Sequence, residues 1–275
     1  MPNATGDSNG STVDTSTAHP ARRYNYWLGG KDNFAADRES ADAIEAVFPH
    51  IRTAAVENRR FLQRVVRVLT QEHGIRQFLD VGTGLPTADN THQVAQRIEP
   101  SSRVVYVDND PLVLTHARAL LTSAPEGRTA YISADLRDPE SILAHADLVA
   151  TLDLSRPVAV MLIAVLHFVH DDDQADKAIA TLMGALPPGS FLALTHATAD
   201  FLPPEIAAAL TSGKVRGASS FEGRSGAQVA RLLDGNGLEL IEPGLTVVSQ
   251  WRPDPDVTPP PAEHVSVYGA VARKL

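Results

Sequence analysis

The 275-residue chain has no cysteine, only three methionines and two tryptophans, and no apolar run long enough to cross a bilayer. Without cysteine, neither a disulfide framework nor a thiolate metal site can form, which suits a reducing compartment. The longest strongly apolar stretch, residues 157–169, falls short of the ~20 residues a membrane helix needs and includes His167. The opening MPNATGDSNGSTVDTSTAHP has neither the basic start nor the apolar centre of a secretory leader. A basic field is missing too: the formal net charge of -9 argues against non-specific nucleic-acid binding, and no basic RNA-binding motif is present. What these absences leave is a cytoplasmic globular chain, 43% hydrophobic and long enough to bury one large core.

What is present is a repeated pattern of apolar strand followed by acid. Residues 77–84 read QFLDVGTG, an apolar run ending in Asp80 and then in Gly82 and Gly84. That is the form of a buried parallel strand whose chain turns sharply and brings bare backbone against a ligand. VVYVDNDP at 104–111 and YISADLRDP at 131–139 follow, ending in Asp108 and Asp135. Further strands are expected at 158–163, 190–195, 238–241, 244–250 and 265–272. Helices are expected at 37–47, 54–71, 90–98, 111–121, 139–145, 174–185 and 225–233. The apolar face of the 54–71 helix is read as Val56, Phe61, Leu62, Val65, Val66 and Leu69. Alternation of strand and helix predicts a doubly wound α/β sheet covered on both faces, with the acids on one crevice at the strand ends.

The glycine turn has two readings. A dinucleotide fingerprint wants a third glycine three residues after the second, where a helix N-terminus meets a pyrophosphate. Here that position is Thr87, preceded by Pro86. An NAD(P)-dependent oxidoreductase is therefore disfavoured against a ligand without phosphate, which needs the close backbone approach of Gly82 and Gly84 but no anion cradle.

Taken together, FLDVGTGLPTADNTH, YVDNDPLVLTHARALL, PVAVMLIAVLHFV and ARRYNYWLGGKDNFAADRESADAI at 21–44 resemble an actinobacterial family of S-adenosyl methyltransferases, formerly a domain of unknown function, within class I S-adenosylmethionine-dependent methyltransferases. The resemblance runs from about Pro20 to the C-terminus. It implies a Rossmann-like seven-stranded sheet, mostly parallel, with the final strand inserted antiparallel, and it implies S-adenosylmethionine as cofactor and S-adenosylhomocysteine as product. Asp108 would bind the ribose hydroxyls by charge-assisted hydrogen bonds, although a helix-capping role near Pro111 competes with this. Asp135 would receive the adenine amino group, with Leu136 against the ring and Asn109 at its flank. Asp80 would face the methionine ammonium, to which Ala164 would offer its carbonyl.

Candidate bases are His167 and His196, each just past a strand end. His167 and His170 with Asp171, Asp172 and Asp173 also read as a metal set, but the three acids read more simply as a helix N-terminus. Residues 1–19 are expected to be a disordered tail, 20–76 a helical arm or lid, and 77–275 the cofactor domain. The arm is mildly basic: residues 20–76 carry ten Lys/Arg against seven Asp/Glu, while residues 77–275 carry fourteen against twenty-four. Its arginines are either solvated or turned towards an anionic acceptor or the cofactor carboxylate. RRYNYWLGGKDNF reads as a loop closing over the ligand, placing Tyr24, Tyr26, Gly29, Gly30 and Lys31 at the site mouth; a packing latch is the alternative, in which case the acceptor pocket lies around 201–221. The function expected is methyl transfer to a small-molecule acceptor, with a cofactor-binding protein lacking transferase activity as the alternative; the oligomeric state is left open.

Overall fold

The computed structural model of the chain describes residues 14–120 and 122–275. The expected disordered tail thus falls largely outside the described residues. From Asp14 onward the chain is tied down: the Asp14 carbonyl accepts from Arg22 Nη1, and His19 caps the first helix.

Five parallel strands form the frame: β1 (Gln77–Val81), β2 (Arg103–Asp108), β3 (Arg128–Ser133), β4 (Ala159–Leu162) and β5 (Phe191–Ala197). Three more complete the sheet, β6 (Leu238–Leu240), β7 (Thr246–Val247) and β8 (Val267–Lys274). The order is β3-β2-β1-β4-β5-β8-β6, with β7 also paired to β8. The final strand lies antiparallel between β5 and β6, as expected, and two-residue β7 makes eight strands rather than seven. The strand expected at 244–250 is cut short because the chain turns inward there. Val248 and Trp251 are buried, and Arg64 donates to both of their carbonyls. After β1 the chain winds outward through β2 to β3, then returns to lay β4 on the other side of β1. The order therefore reverses at β1 and β4, and a crevice opens beyond their carboxyl ends.

Alternate residues of each strand enter opposite cores. Leu79, Val81, Val105 and Val107 face a cluster built with α6 (Pro139–Ala144), α7 (Ala146–Thr151), α8 (Asp172–Gly184) and α10 (Gly226–Asp234). Phe78, Val104 and Tyr106 face α3 (Ile51–Gln71) and α4 (Thr91–Ile98). Helix α3 is thus a cover of the sheet. Its apolar stripe is the one read from spacing except at Val56, which is exposed. Helix α5 (Pro111–Leu120) follows β2.

A third, smaller cluster caps the carboxyl end of the sheet. It joins α1 (Pro20–Trp27), α2 (Ala35–Val47), the start of α3 and α9 (Pro204–Thr211) through Trp27, Ala41, Ile44 and Ala55. The segment read as a closing loop is therefore helix α1 followed by a tight turn. Gly29 takes φ 82° just past the helix end, a conformation that favours glycine. A Cβ on Gly30 would meet the Asn25 side chain at 2.3 Å, and Asn25 Oδ1 accepts from the Asp32 amide and from Asn33 Nδ2. These glycines wrap the chain round Asn25.

Candidate cofactor and acceptor site

Each strand-end acid owes its position to the register of the sheet. Asp80 pairs with Tyr106 across β1 and β2, and Asp108 pairs with Ser133 across β2 and β3. One cleft of about 270 Å³ runs along these ends, lined by Asp80, Gly82, Gly84, Asp108, Asn109, Asp135, Leu136 and Ala164. Gly82 (φ 73°) and Gly84 (φ 66°) carry the backbone round the turn. A Cβ on Gly82 would lie 2.3 Å from Val165 Cγ2, so only glycine lets β1 turn against the β4 end.

The three acids differ in how they are held. Asp80 is buried and accepts from Thr91 Oγ1 at 2.6 Å; burial pushes its pKa up to about 6 against the Thr91 hydrogen bond. Asp108 is buried too, and burial likewise raises it to about 6, although the amides of Gly84 and Asp110 donate to it at 2.8 and 2.9 Å. Asp135 is different: Arg137 donates to it from Nε (2.8 Å), Nη2 (2.5 Å) and its amide, and Asn109 Nδ2 from 3.0 Å. Those bonds, led by the Arg137 side chain, hold its pKa below the ordinary carboxylate range. Asp135 is thus already saturated, and a ligand amino group would have to displace one of these donors.

Ala164 has φ 56°, left-handed for a residue with a side chain, and its amide donates to Thr195 Oγ1 at 2.8 Å. Strain of this kind collects at ligand sites, and nothing in the sequence announced it.

The structure separates the two histidines. His167 lines the cleft; its Nδ1 accepts from the Ala197 amide at 3.4 Å, which leaves the hydrogen on Nε2. Burial, then the neighbouring His196, Arg224 and Arg23, push its pKa well below the ordinary value, so the ring is neutral. His196 does not reach the cleft. It is fully buried, its Nδ1 donates to the Ala197 carbonyl at 2.8 Å and its Nε2 accepts from Arg224 Nη1 at 2.9 Å. Burial lowers it to about 4. With both nitrogens engaged it anchors Arg224, which also bonds the Leu166 and Val169 carbonyls and Asp172, and it is not placed as a base. Asp171 caps α8 through the Asp173 and Gln174 amides. Among the described residues no three His, Asp or Glu side chains converge as metal ligands.

Of the five arm residues predicted at the mouth, the cleft takes Tyr24 alone. Its hydroxyl donates to the Ala55 carbonyl (3.0 Å) and accepts from Asn58 Nδ2 (2.9 Å), joining α1 to α3. Tyr26 stacks under Arg52 with the guanidinium 4.7 Å from the ring centre, Gly29 and Gly30 form the turn at Asn25, and Lys31 is exposed. Sequence reasoning missed Asn58, Arg59 and Phe168, which also line the cleft, as do Trp27 of the segment read as a closing loop and Phe221 at the edge of the alternative acceptor region 201–221. Asn58 carried a signal: it is a polar residue in the apolar stripe of α3, four residues from both Ala54 and Leu62.

Of the arm arginines, Arg22, Arg23 and Arg64 are buried, whereas Arg38, Arg60 and Arg67 are exposed. Arg22 Nε donates to Asp110 Oδ2 at 3.2 Å and Arg22 Nη1 lies 3.8 Å from Asp37 Oδ2, while His19 Nδ1 is 3.1 Å from the same Asp110 oxygen. Since the Asp110 amide donates to Asp108, α1 is latched two residues beyond Asp108, at the end of β2. Arg23 is held by neutral acceptors, Ser40, Ser220 and the Gly217 carbonyl, and lies over the Phe221 ring.

This chain is similar to two solved structures over nearly its whole length. One is a DUF574 family protein from Streptomyces avermitilis MA-4680, 46% identical, with a TM-score of 0.89 over 96% of this chain and all of that one. The other, from Thermobifida fusca YX and assigned provisionally as a methyltransferase, is 41% identical, with a TM-score of 0.86 over 98% and 99% of the two chains. An O-methyltransferase family protein from Burkholderia thailandensis, 16% identical with a TM-score of 0.53 over 91% of this chain and 63% of that one, shares the fold. No curated protein matches significantly. The model of the S-adenosyl methyltransferase family matches residues 6–275, and the chain belongs to that family of S-adenosylmethionine-dependent enzymes.

Proposed function

We propose that this enzyme methylates a small, largely apolar molecule held between the strand-end crevice and the helical cap. The observation that carries the reading is the continuity of one cleft. Its sheet side presents Asp80, Asp108, Asp135, the bare Gly82 backbone and Phe168 from the turn after β4, and its cap side presents Tyr24, Trp27 and Phe221. The residues fit the cofactor: two buried carboxylates could accept from its hydroxyl and ammonium donors, and at Gly82 any side chain would collide with Val165. In this reading Asp108 takes the ribose hydroxyls, Asp80 and the Ala164 carbonyl take the ammonium, and Asn109, Asp135 and Leu136 border the adenine.

The bound cofactor supplies a methyl group already activated on a sulfonium. The chain's part is to align the acceptor and exclude water, which the aromatic walls do. Neutral His167, with its hydrogen on Nε2, donates to the acceptor rather than taking a proton from it. That favours an acceptor whose attacking atom needs no deprotonation before attack, a neutral atom with a free lone pair or an anion. His196 takes no part.

No described helix is long and apolar enough to cross a membrane, and the cysteine-free composition supports a cytoplasmic location. The test is an untargeted metabolite extract incubated with purified enzyme and methyl-labelled S-adenosylmethionine, run beside calorimetric titration with S-adenosylhomocysteine. Label in a low-molecular-mass product together with saturable binding is expected. Absence of binding at millimolar ligand would overturn the reading.

A further inference from the structure

Four basic side chains line the cleft: His19, Arg59, Arg137 and His167. Three are committed. His19 lies against Asp110, Arg137 clasps Asp135, and His167 is neutral. Arg59, on α3, has no carboxylate within 4 Å among the described residues. Its Nη2 donates to Asn90 Oδ1 at 2.8 Å and to the Ala88 carbonyl at 3.4 Å, and its Nε is buried without a partner. A guanidinium held only by neutral acceptors, beside an enclosed cleft, is a subsite for an anion.

What lies near it decides which anion. The Arg59 charge reaches Asp80, where it opposes the upward push of burial on that carboxyl. The cleft thus carries one buried negative group and one uncommitted positive group at the same end, close to the strand-end turn. An α-amino acid carries the matching pair, an ammonium and a carboxylate on one carbon. Resting on the reading that the cofactor's ammonium meets Asp80, we propose that Arg59 receives the methionine carboxylate and makes this site selective for ligands that keep the whole amino-acid end. Asn90 positions the guanidinium: its side chain also caps the turn through the Thr87 carbonyl and amide, so the fork is aimed by the same loop that shapes the glycine turn.

Arg59 is therefore a specificity residue, and ligands lacking the carboxylate should not feel its loss. The experiment titrates S-adenosylhomocysteine and 5′-methylthioadenosine, which keeps the adenosine and thioether but lacks the amino-acid end, into the wild-type chain, Arg59→Gln, Arg59→Lys and Asn90→Ala. Arg59→Gln should weaken S-adenosylhomocysteine by about tenfold or more, the scale of a lost charge-assisted hydrogen bond, and leave 5′-methylthioadenosine unchanged. Arg59→Lys should recover part of the affinity, because the charge remains while the fork is lost. Asn90→Ala, which frees the guanidinium but keeps its charge, should weaken S-adenosylhomocysteine less than Arg59→Gln does. Equal weakening of both ligands by Arg59→Gln would make Arg59 a brace for the loop and overturn the proposal, as would unchanged affinity for both. Failure of the wild-type chain to bind either ligand would instead remove the cofactor reading on which it rests.

Discussion

The sheet body and the helical cap are held together by different physics. The body buries continuous apolar clusters on both faces of the sheet, with strand residues such as Leu79, Val105 and Val160 fully enclosed. The apolar cluster of the cap is small, with Trp27, Ala41, Ile44 and Ala55 as its buried members, and the cap relies on buried polar ties: Arg22 to Asp110 and Asp37, Arg23 to the 217–220 turn, and Tyr24 to Asn58. Apolar packing is non-directional and tolerates small shifts. Buried ion pairs hold one geometry or leave a charge stranded. The body therefore sets the fold, while the position of the cap depends on contacts that end beside Asp108.

The largest effect should come from the body. Phe61 is fully buried and packs edge-on against Trp251 with ring centres 5.4 Å apart. Phe61→Ala should cost about 3–5 kcal/mol of global stability, read from denaturant unfolding, with every probe moving together. Loss confined to one probe would show that α3 belongs to the cap rather than to the sheet.

Next is the latch. Arg22→Ala leaves Asp110 and Asp37, both almost wholly buried, without their guanidinium and with only backbone amides and His19 as partners, at a cost of about 3 kcal/mol. Because the tie is local, the loss should appear as faster amide exchange in α1 and α2, with β1 and β4 unchanged. Uniform acceleration through β1 would erase the distinction between the two regions.

The same distinction explains what the sequence disclosed. Continuous apolar runs ending in acids made the body legible, and the resemblance supplied the antiparallel final strand. The cap was not legible, because its anchors are arginines, which are solvated in most proteins, and their partners Asp110 and Gly217 lie about 90 and 190 residues away. A glycine pair read as flexibility was in fact a helix end folded round Asn25, a contact that composition cannot distinguish from a hinge. His196 was placed near the crevice by its strand position, but whether its nitrogens were free depended on Arg224, 28 residues on.

A smaller effect is the pH response of the crevice acids. Asp80 and Asp108 both have folded pKa values raised from 3.8 to about 6, chiefly by burial. Between those values the unfolded chain releases protons that the folded chain keeps, so ligand-free stability should fall as pH rises from about 4 to about 6 and then level. A ligand that hydrogen-bonds the ionised carboxylates reverses the preference. The thermal shift given by S-adenosylhomocysteine should therefore grow through about pH 6, and Asp80→Asn should flatten that growth. A shift independent of pH would mean that neither acid meets the ligand in its charged form.

The smallest effect separates lid from latch. The Tyr24 hydroxyl accepts from Asn58 and donates to the Ala55 carbonyl, so Tyr24→Phe removes one tie between α1 and α3 without opening a cavity. Neutral buried hydrogen bonds contribute as little as about 0.5 kcal/mol each, so the two lost here amount to about 1 kcal/mol, too little to shift the unfolding of the body. It should instead speed amide exchange in α1 roughly fivefold, since about 1 kcal/mol corresponds to that factor. If α1 closes over the ligand, S-adenosylhomocysteine should restore most of the lost protection, because bound ligand fills the cleft against Tyr24 and Trp27. If α1 is a fixed latch, the variant should exchange faster by the same factor with and without ligand. Exchange in α1 unchanged by the substitution would show that the arginine ties alone hold the cap, and that the tyrosine serves the cleft rather than the helix.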